Sequence, residues 1–222
     1  MNYTITPTPR FRALCPDFIG AAITATVQNS PSSPFLWQEI DVFARQLRQQ
    51  FTPDTLKQRP GIAATRLAYK AAGKDPSRYR PACEQLARRV LQDKPLYRVD
   101  TLVDAVNLAS LFSGYSTAAL DADKLPHPAI ELDFGHAGEP YEGIGRGPLN
   151  IENLPVYRDR IGPFATPTSD STRTMLSPET HRLLVLINGY DGNRRQLEET
   201  IQLTERLLTQ FAQAREIEHT LF

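Results

Sequence analysis

Apolar residues recur along this chain with two different periods, and the changes of period mark its elements. The clearest helical stripe is Leu197, Ile201, Thr204, Leu208 and Phe211, spaced alternately by four and three. That spacing puts all five on one face and predicts a helix over about 194–216, packed on a sheet or bundle. Leu36, Ile40, Phe43 and Leu47 form a second stripe. They predict an amphipathic helix running through Phe51, with Pro34 in its first turn.

Other segments read as strands. Residues 18–27 are β-branched and apolar, and 182–188 hold the unbroken run Leu183-Leu184-Val185-Leu186-Ile187. Both predict buried strands. Residues 130–134 alternate and predict a strand, 156–159 another, and 118–121 a short strand or turn. Two further helices are expected. One follows Pro60 and stops at Gly73; the other spans about 80–93 with Ala82, Leu86, Val90 and Cys83 inward and a Glu84–Arg88 pair.

Residues 95–110 are the centre of this pattern. Val99, Leu102, Val103 and Val106 predict one buried stripe, and Gly114 a stop. Asp104 and Asn107 lie three apart and share another face. A buried Asp or Asn left unpaired costs about 1–3 kcal/mol. Either the two stitch the helix to a neighbouring segment or they line a pocket. Elsewhere prolines break helices: most of the 18 cluster in 1–60 and 126–178. In residues 1–17, Pro7, Pro9 and Pro16 are expected to exclude a helix. The chain thus reads as one α/β domain over 1–222, α+β layered, with mixed sheets and flanking helices.

Composition narrows the partners. Lysine plus arginine equals aspartate plus glutamate, 25 each. A protein that grips nucleic acid by charge alone is more basic than that, so no DNA partner is expected. The densest positive charge is local, at Arg78, Arg80, Arg88, Arg89 and Lys94. It is either a solvated helix face or a patch for RNA phosphates. Two distant cysteines, no signal peptide and no apolar run near 20 residues predict a cytoplasmic protein without a membrane span.

Standard catalytic signatures are missing. The four histidines have no metal-ligand spacing, so no metal and no cofactor is expected. No Gly-x-Ser-x-Gly elbow occurs. Gly143, Gly145 and Gly147 lack the Gly-Lys-Ser/Thr ending of a phosphate loop and fit hairpins better. His136 beside Glu139 is a possible general base or a plain surface turn. The loop 162–174 concentrates Asp170, Ser171, Arg173 and Thr174, which supply acceptors, hydroxyls and a guanidinium together.

Several motifs in order carry a resemblance. They are the run from Arg66 through Tyr69, Lys70, Gly73, Lys74 and Asp75 to Pro81; then Glu84 and Arg88-Arg89; Asp100-Thr101-Leu102-Val103-Asp104 with Asn107; Asp121; Gly138-Glu139-Pro140; and 170–174. Over about 60–190 the chain resembles the tRNA-editing domain of the phenylalanyl-tRNA synthetase β subunit (modules B-three and B-four), in a free-standing form. The resemblance implies a layered α/β fold and a pocket beneath the segment holding Asn107. In the synthetase that pocket hydrolyses tyrosine misattached to the tRNA for phenylalanine. Val106 stands where the synthetase has threonine, Ala118 where it has histidine, and its glutamate falls near Leu186.

Two functions follow as expectations. One is an editing-like domain that binds tRNA or its aminoacylated end and, if it is an enzyme, hydrolyses the aminoacyl ester through a bound water. Asn107, Asp170 and Thr174 are then its catalytic candidates; Glu139, Ser171 and Arg173 bind substrate; Arg78, Arg80, Arg88 and Arg89 meet RNA phosphates. The other is a non-catalytic binder of an amino acid or a similar small metabolite.

Overall fold

The computed structural model describes residues 3–222. Strand β1 (Thr4–Pro7) leads into a short helix, α1 (Pro9–Leu14). Prolines were expected to exclude helix here. Instead Pro9 occupies the first helical turn, where its missing N–H costs nothing, and Thr8 Oγ1 caps the helix by accepting from Phe11 N at 3.1 Å. Strand β2 (Ile19–Thr26) and helices α2 (Pro34–Gln50), α3 (Pro60–Ala71) and α4 (Ala82–Leu91) follow, close to the bounds the pattern predicts.

Helix α5 (Thr101–Ser113) ends at Gly114, whose φ of 76° is left-handed and cheap only for glycine. Then come β3 (Ser116–Asp121), β4 (Ala129–Phe134), the hairpin pair β5 (Glu142–Gly143) and β6 (Gly147–Pro148), β7 (Pro155–Arg158) and β8 (Pro163–Ala165). Strand β9 (Arg182–Gly189), α6 (Arg194–Ala212) and β10 (Arg215–Leu221) complete the chain. The pattern carries α6 to about residue 216. The helix stops at Ala212, Gln213 takes φ 50°, and the following residues form a strand.

Two four-stranded sheets organise these elements. One has the order β1-β4-β7-β8 and is mixed, with β1 and β4 parallel. The other, β10-β2-β9-β3, is antiparallel throughout. Each face of this second sheet has its own cover. Ala21, Ile23, Val185 and Ile187 pack with Leu102 and Val106 of α5 and Ile201 and Leu208 of α6. Ala22, Leu120, Leu184 and Leu186 pack with Leu132, Tyr157 and Phe164 of the other sheet. Strand β9 is central and covered on both sides, which is why its sequence is continuously apolar rather than alternating. The result is an α+β fold of mixed sheets and flanking helices. No helix among the described residues is long and apolar enough to cross a membrane.

Three local expectations change. Val99 lies before α5 and is 58% exposed, so the buried stripe starts at Leu102. Glu84 does not pair with Arg88. It is buried and held by Arg66 at 2.9 Å and Arg80 at 3.3 Å, while Arg88 donates to the Pro53 carbonyl. Cys83, Ala87 and Val90 fill the core side of α4; Ala82 and Leu86 are half-buried.

Candidate functional site

Asp104 and Asn107 were expected to share a face and a fate. The fold separates them. Asp104 is buried and accepts from Trp37 Nε1 at 2.6 Å and from Val99 N at 3.3 Å. It pins α5 to α2. Asn107 lies on a wall of a cavity of about 410 Å³, and its side chain makes no hydrogen bond among the described residues. The opposite wall is the loop after β8, which brings Asp170 into the same cavity.

This loop is tightly built. Thr166 Oγ1 accepts from Thr168 N and Ser169 N, each at 3.1 Å. Tyr141 donates its hydroxyl to the Ser169 carbonyl at 2.7 Å, and Ile144 N donates to the Asp170 carbonyl at 2.9 Å. Strand β3 forms the floor through Thr117 and Ala119. Thr117 donates to the Val106 carbonyl at 3.0 Å, which fixes the floor to α5. Leu86, Val103, Val106 and Leu176 make much of the lining apolar.

Asp170 is a carboxyl in largely apolar company. Burial pushes it up to about 8, while the backbone N–H of Ala119 works against the rise. At neutral pH it therefore exchanges a proton readily. It can take one from a bound water, or pair as a carboxylate with a cationic ligand group.

Beside this cavity opens a groove of about 300 Å³, lined by Arg80, Arg88, Arg89, Lys94 and two glutamines. Gln85 and Arg89 border both spaces. Two of these arginines are already held by carbonyls: Arg88 by Pro53 at 3.0 Å and Arg89 by Pro95 at 2.7 Å. Arg80 shares its charge with Glu84. Arg78 is exposed beside Tyr79 and lies outside the groove lining.

The other expected site residues serve the framework. Thr174 is fully buried, 3.4 Å from the Phe164 carbonyl it donates to, and lines neither space. Ser171 is buried and caps the turn Thr172–Thr174 by accepting from Arg173 N. Arg173 grips Asp159 at 2.9 and 3.1 Å and the Gly162 carbonyl. Glu139 is held by Arg158 at 2.8 and 2.9 Å and accepts from His136 N, so the His136–Glu139 turn lies away from the cavity. All four are polar groups in a conspicuous loop or turn, yet each is bonded to its neighbours rather than turned into the cavity.

Ala118 and Leu186 sit directly opposite each other in the β3–β9 register. Both face the apolar layer between the two sheets, while Thr117 and Ala119 face the cavity. Sequence reasoning missed Thr117, whose signal was the alternation of β3. It also missed Arg146, which reaches from the glycine hairpin to Gln85 across the cavity. Among the described residues no three or more His, Cys, Asp or Glu side chains gather as a metal site.

A family model described as the B3/4 domain matches residues 64–220, well over half of the chain. The match takes in α4, α5, both walls of the cavity and the basic groove. No curated protein matches the sequence.

Proposed function

This chain belongs to the B3/4 domain family of the phenylalanyl-tRNA synthetase β subunit, and from that premise we propose that it binds the aminoacylated end of a tRNA and hydrolyses its ester. The observation that carries the reading is the pair Asn107 and Asp170. They are polar side chains from distant segments, turned into one largely apolar cavity beside a groove lined by basic side chains. A side-chain amide left without protein partners at such a place, as Asn107's is, is suited to a ligand.

In this reading the aminoacyl group enters the cavity and the RNA phosphates lie along Arg80, Arg88, Arg89 and Lys94. Asp170, as carboxylate, takes a proton from water as the water oxygen bonds to the ester carbonyl carbon. Asn107 donates its amide N–H to the oxygen on which negative charge develops. The C–O bond to the ribose then breaks, and the ribose oxygen leaves with the proton returned by Asp170. Asp170 suits this work because its affinity for protons lies close to neutral pH.

The test is release of amino acid from a panel of mischarged tRNAs by the wild-type protein, Asp170→Asn and Asn107→Ala. Turnover on at least one substrate, lowered at least tenfold in both variants, supports the reading. No release from any substrate, without salt-sensitive tRNA binding, removes it.

A second reading has its own support. Ala118, where the resemblance places the synthetase's histidine, and Leu186, near which its glutamate falls, are an apolar pair in the core. That favours a non-catalytic binder of a free amino acid or similar metabolite. A ligand of that kind raises the melting temperature in proportion to the logarithm of its concentration once the site saturates.

A further inference from the structure

Four of the large apolar side chains this protein leaves in solvent, Tyr97, Val99, Ile144 and Met175, border the same cavity. Isolated exposed apolar residues are ordinary, but a ring of them around one opening marks a contact surface. Tyr97 is the most informative. Its side chain is 69% exposed, yet it is not loose. The Arg89 guanidinium stands 4.3 Å from its ring centroid. Arg89 is itself anchored, donating to the Pro95 carbonyl at 3.1 and 2.7 Å.

A cation held on an aromatic ring costs side-chain freedom and contributes little stability at the surface. Here it presents an immobilised, solvent-facing ring where the apolar cavity meets the basic groove. The residue that holds the ring borders both spaces.

We infer that Tyr97, backed by Arg89, is a stacking platform for the nucleobase of the terminal nucleoside whose aminoacyl group enters the cavity. This rests on the ester-binding reading above and adds a subsite to it. A base on the open ring sits between a phosphate in the groove and an ester in the cavity, the order in which these groups follow one another at a charged RNA terminus. Stacking on an aromatic ring recognises a base by its π-face and tolerates its identity. The platform therefore distinguishes an aminoacyl nucleoside from a free amino acid without reading sequence.

The experiment uses 2-aminopurine ribosides carrying a 3′-amide-linked tyrosyl, alanyl or methionyl group, with the methylamides of the same amino acids as probes lacking a nucleoside. The expected result is that a riboside binds the wild type at least tenfold more tightly than its methylamide and that its fluorescence is quenched on binding. Tyr97→Phe keeps both properties. Tyr97→Ala loses the quench and about tenfold or more in riboside affinity, while methylamide affinity stays unchanged.

Equal binding of riboside and methylamide by the wild type overturns the inference. So does a Tyr97→Ala protein that binds and quenches like the wild type. If mischarged tRNA is still hydrolysed in that second case, with unchanged KM in the variant, the platform alone fails. A wild type that binds no riboside and releases no amino acid from any tRNA fails the underlying reading with it.

Discussion

Trp37 donates its indole N–H to the Asp104 carboxylate across 2.6 Å, and both side chains are buried. This bond joins α2 to α5 and fixes how far α5 is rotated. Asn107, three residues further, consequently faces the cavity. Removing the donor leaves a buried carboxylate with one remaining backbone N–H. Trp37→Phe is expected to cost about 1–3 kcal/mol, and Asp104→Asn less, because the amide oxygen can keep the Trp37 bond and the NH2 then faces only the more distant Val99 N–H at 3.3 Å. Urea denaturation of the two variants measures the difference.

Asp170 sets a pH dependence of stability. Its carboxyl titrates near 8 in the folded protein against an ordinary value of 3.8. The folded state therefore holds the proton more tightly than the unfolded chain, and this group's contribution to stability falls as pH rises from about 4 to about 8. Asp170→Asn cannot ionise. Its melting temperature relative to wild type should climb steadily over that window and level off above it. A constant difference would show that Asp170 titrates like an exposed carboxylate.

The arginines divide into two classes that one pair of variants separates. Arg173→Ala strands Asp159, whose side chain is wholly buried, and should destabilise by about 3–5 kcal/mol. Arg89→Ala should leave folding nearly unchanged and lower the salt slope of tRNA binding by about one. Thermal melts and binding isotherms at several salt concentrations report the two effects independently.

Gly20 has a packing role. A Cβ there would run into the Phe222 ring, and the two residues exchange backbone hydrogen bonds of 3.0 Å in both directions. Gly20→Ala should cost about 1–3 kcal/mol. The pair Gly20→Ala and Phe222→Ala should cost less than the sum of the singles, since each relieves the other. A double-mutant cycle in urea gives the coupling.

Much of the fold was legible because its signals are periodic. The stripes of α2 and α6 and the apolar run of β9 are direct imprints of which faces are covered. Strand β10 left no such imprint. Its side chains are mostly exposed, so nothing in its sequence alternates, and the helical pattern before it runs on past the true stop at Gln213.

The candidate site's geometry was half legible, for a related reason. Asn107 and Asp170 stand where polar residues interrupt apolar surroundings, and they do meet at one cavity. Arg173, Glu139 and Ser171 have the same chemistry in the same kind of loop. Only coordinates reveal that Asp159, Arg158 and the Arg173 backbone already occupy them. The residues that carry the family resemblance behave likewise. Arg66 holds Glu84, Tyr69 bonds Thr168, and Lys74 clasps the carbonyls of Asn150 and Glu152. They are recognisable for the framework they build.

The antiparallel sheet has two borders, and they are finished differently. At one, β10 turns Arg215, Glu218 and His219 outward, and a bulge between Arg215 and Glu218 breaks the ladder. Charge and irregularity of this kind deter another chain from zipping onto the row of open peptide groups. The other border, β3, is sheltered under α5 and the Asp170 loop. Self-association by strand addition is thereby discouraged at the first border, while the second can serve as a floor for small molecules without becoming a seed for aggregation.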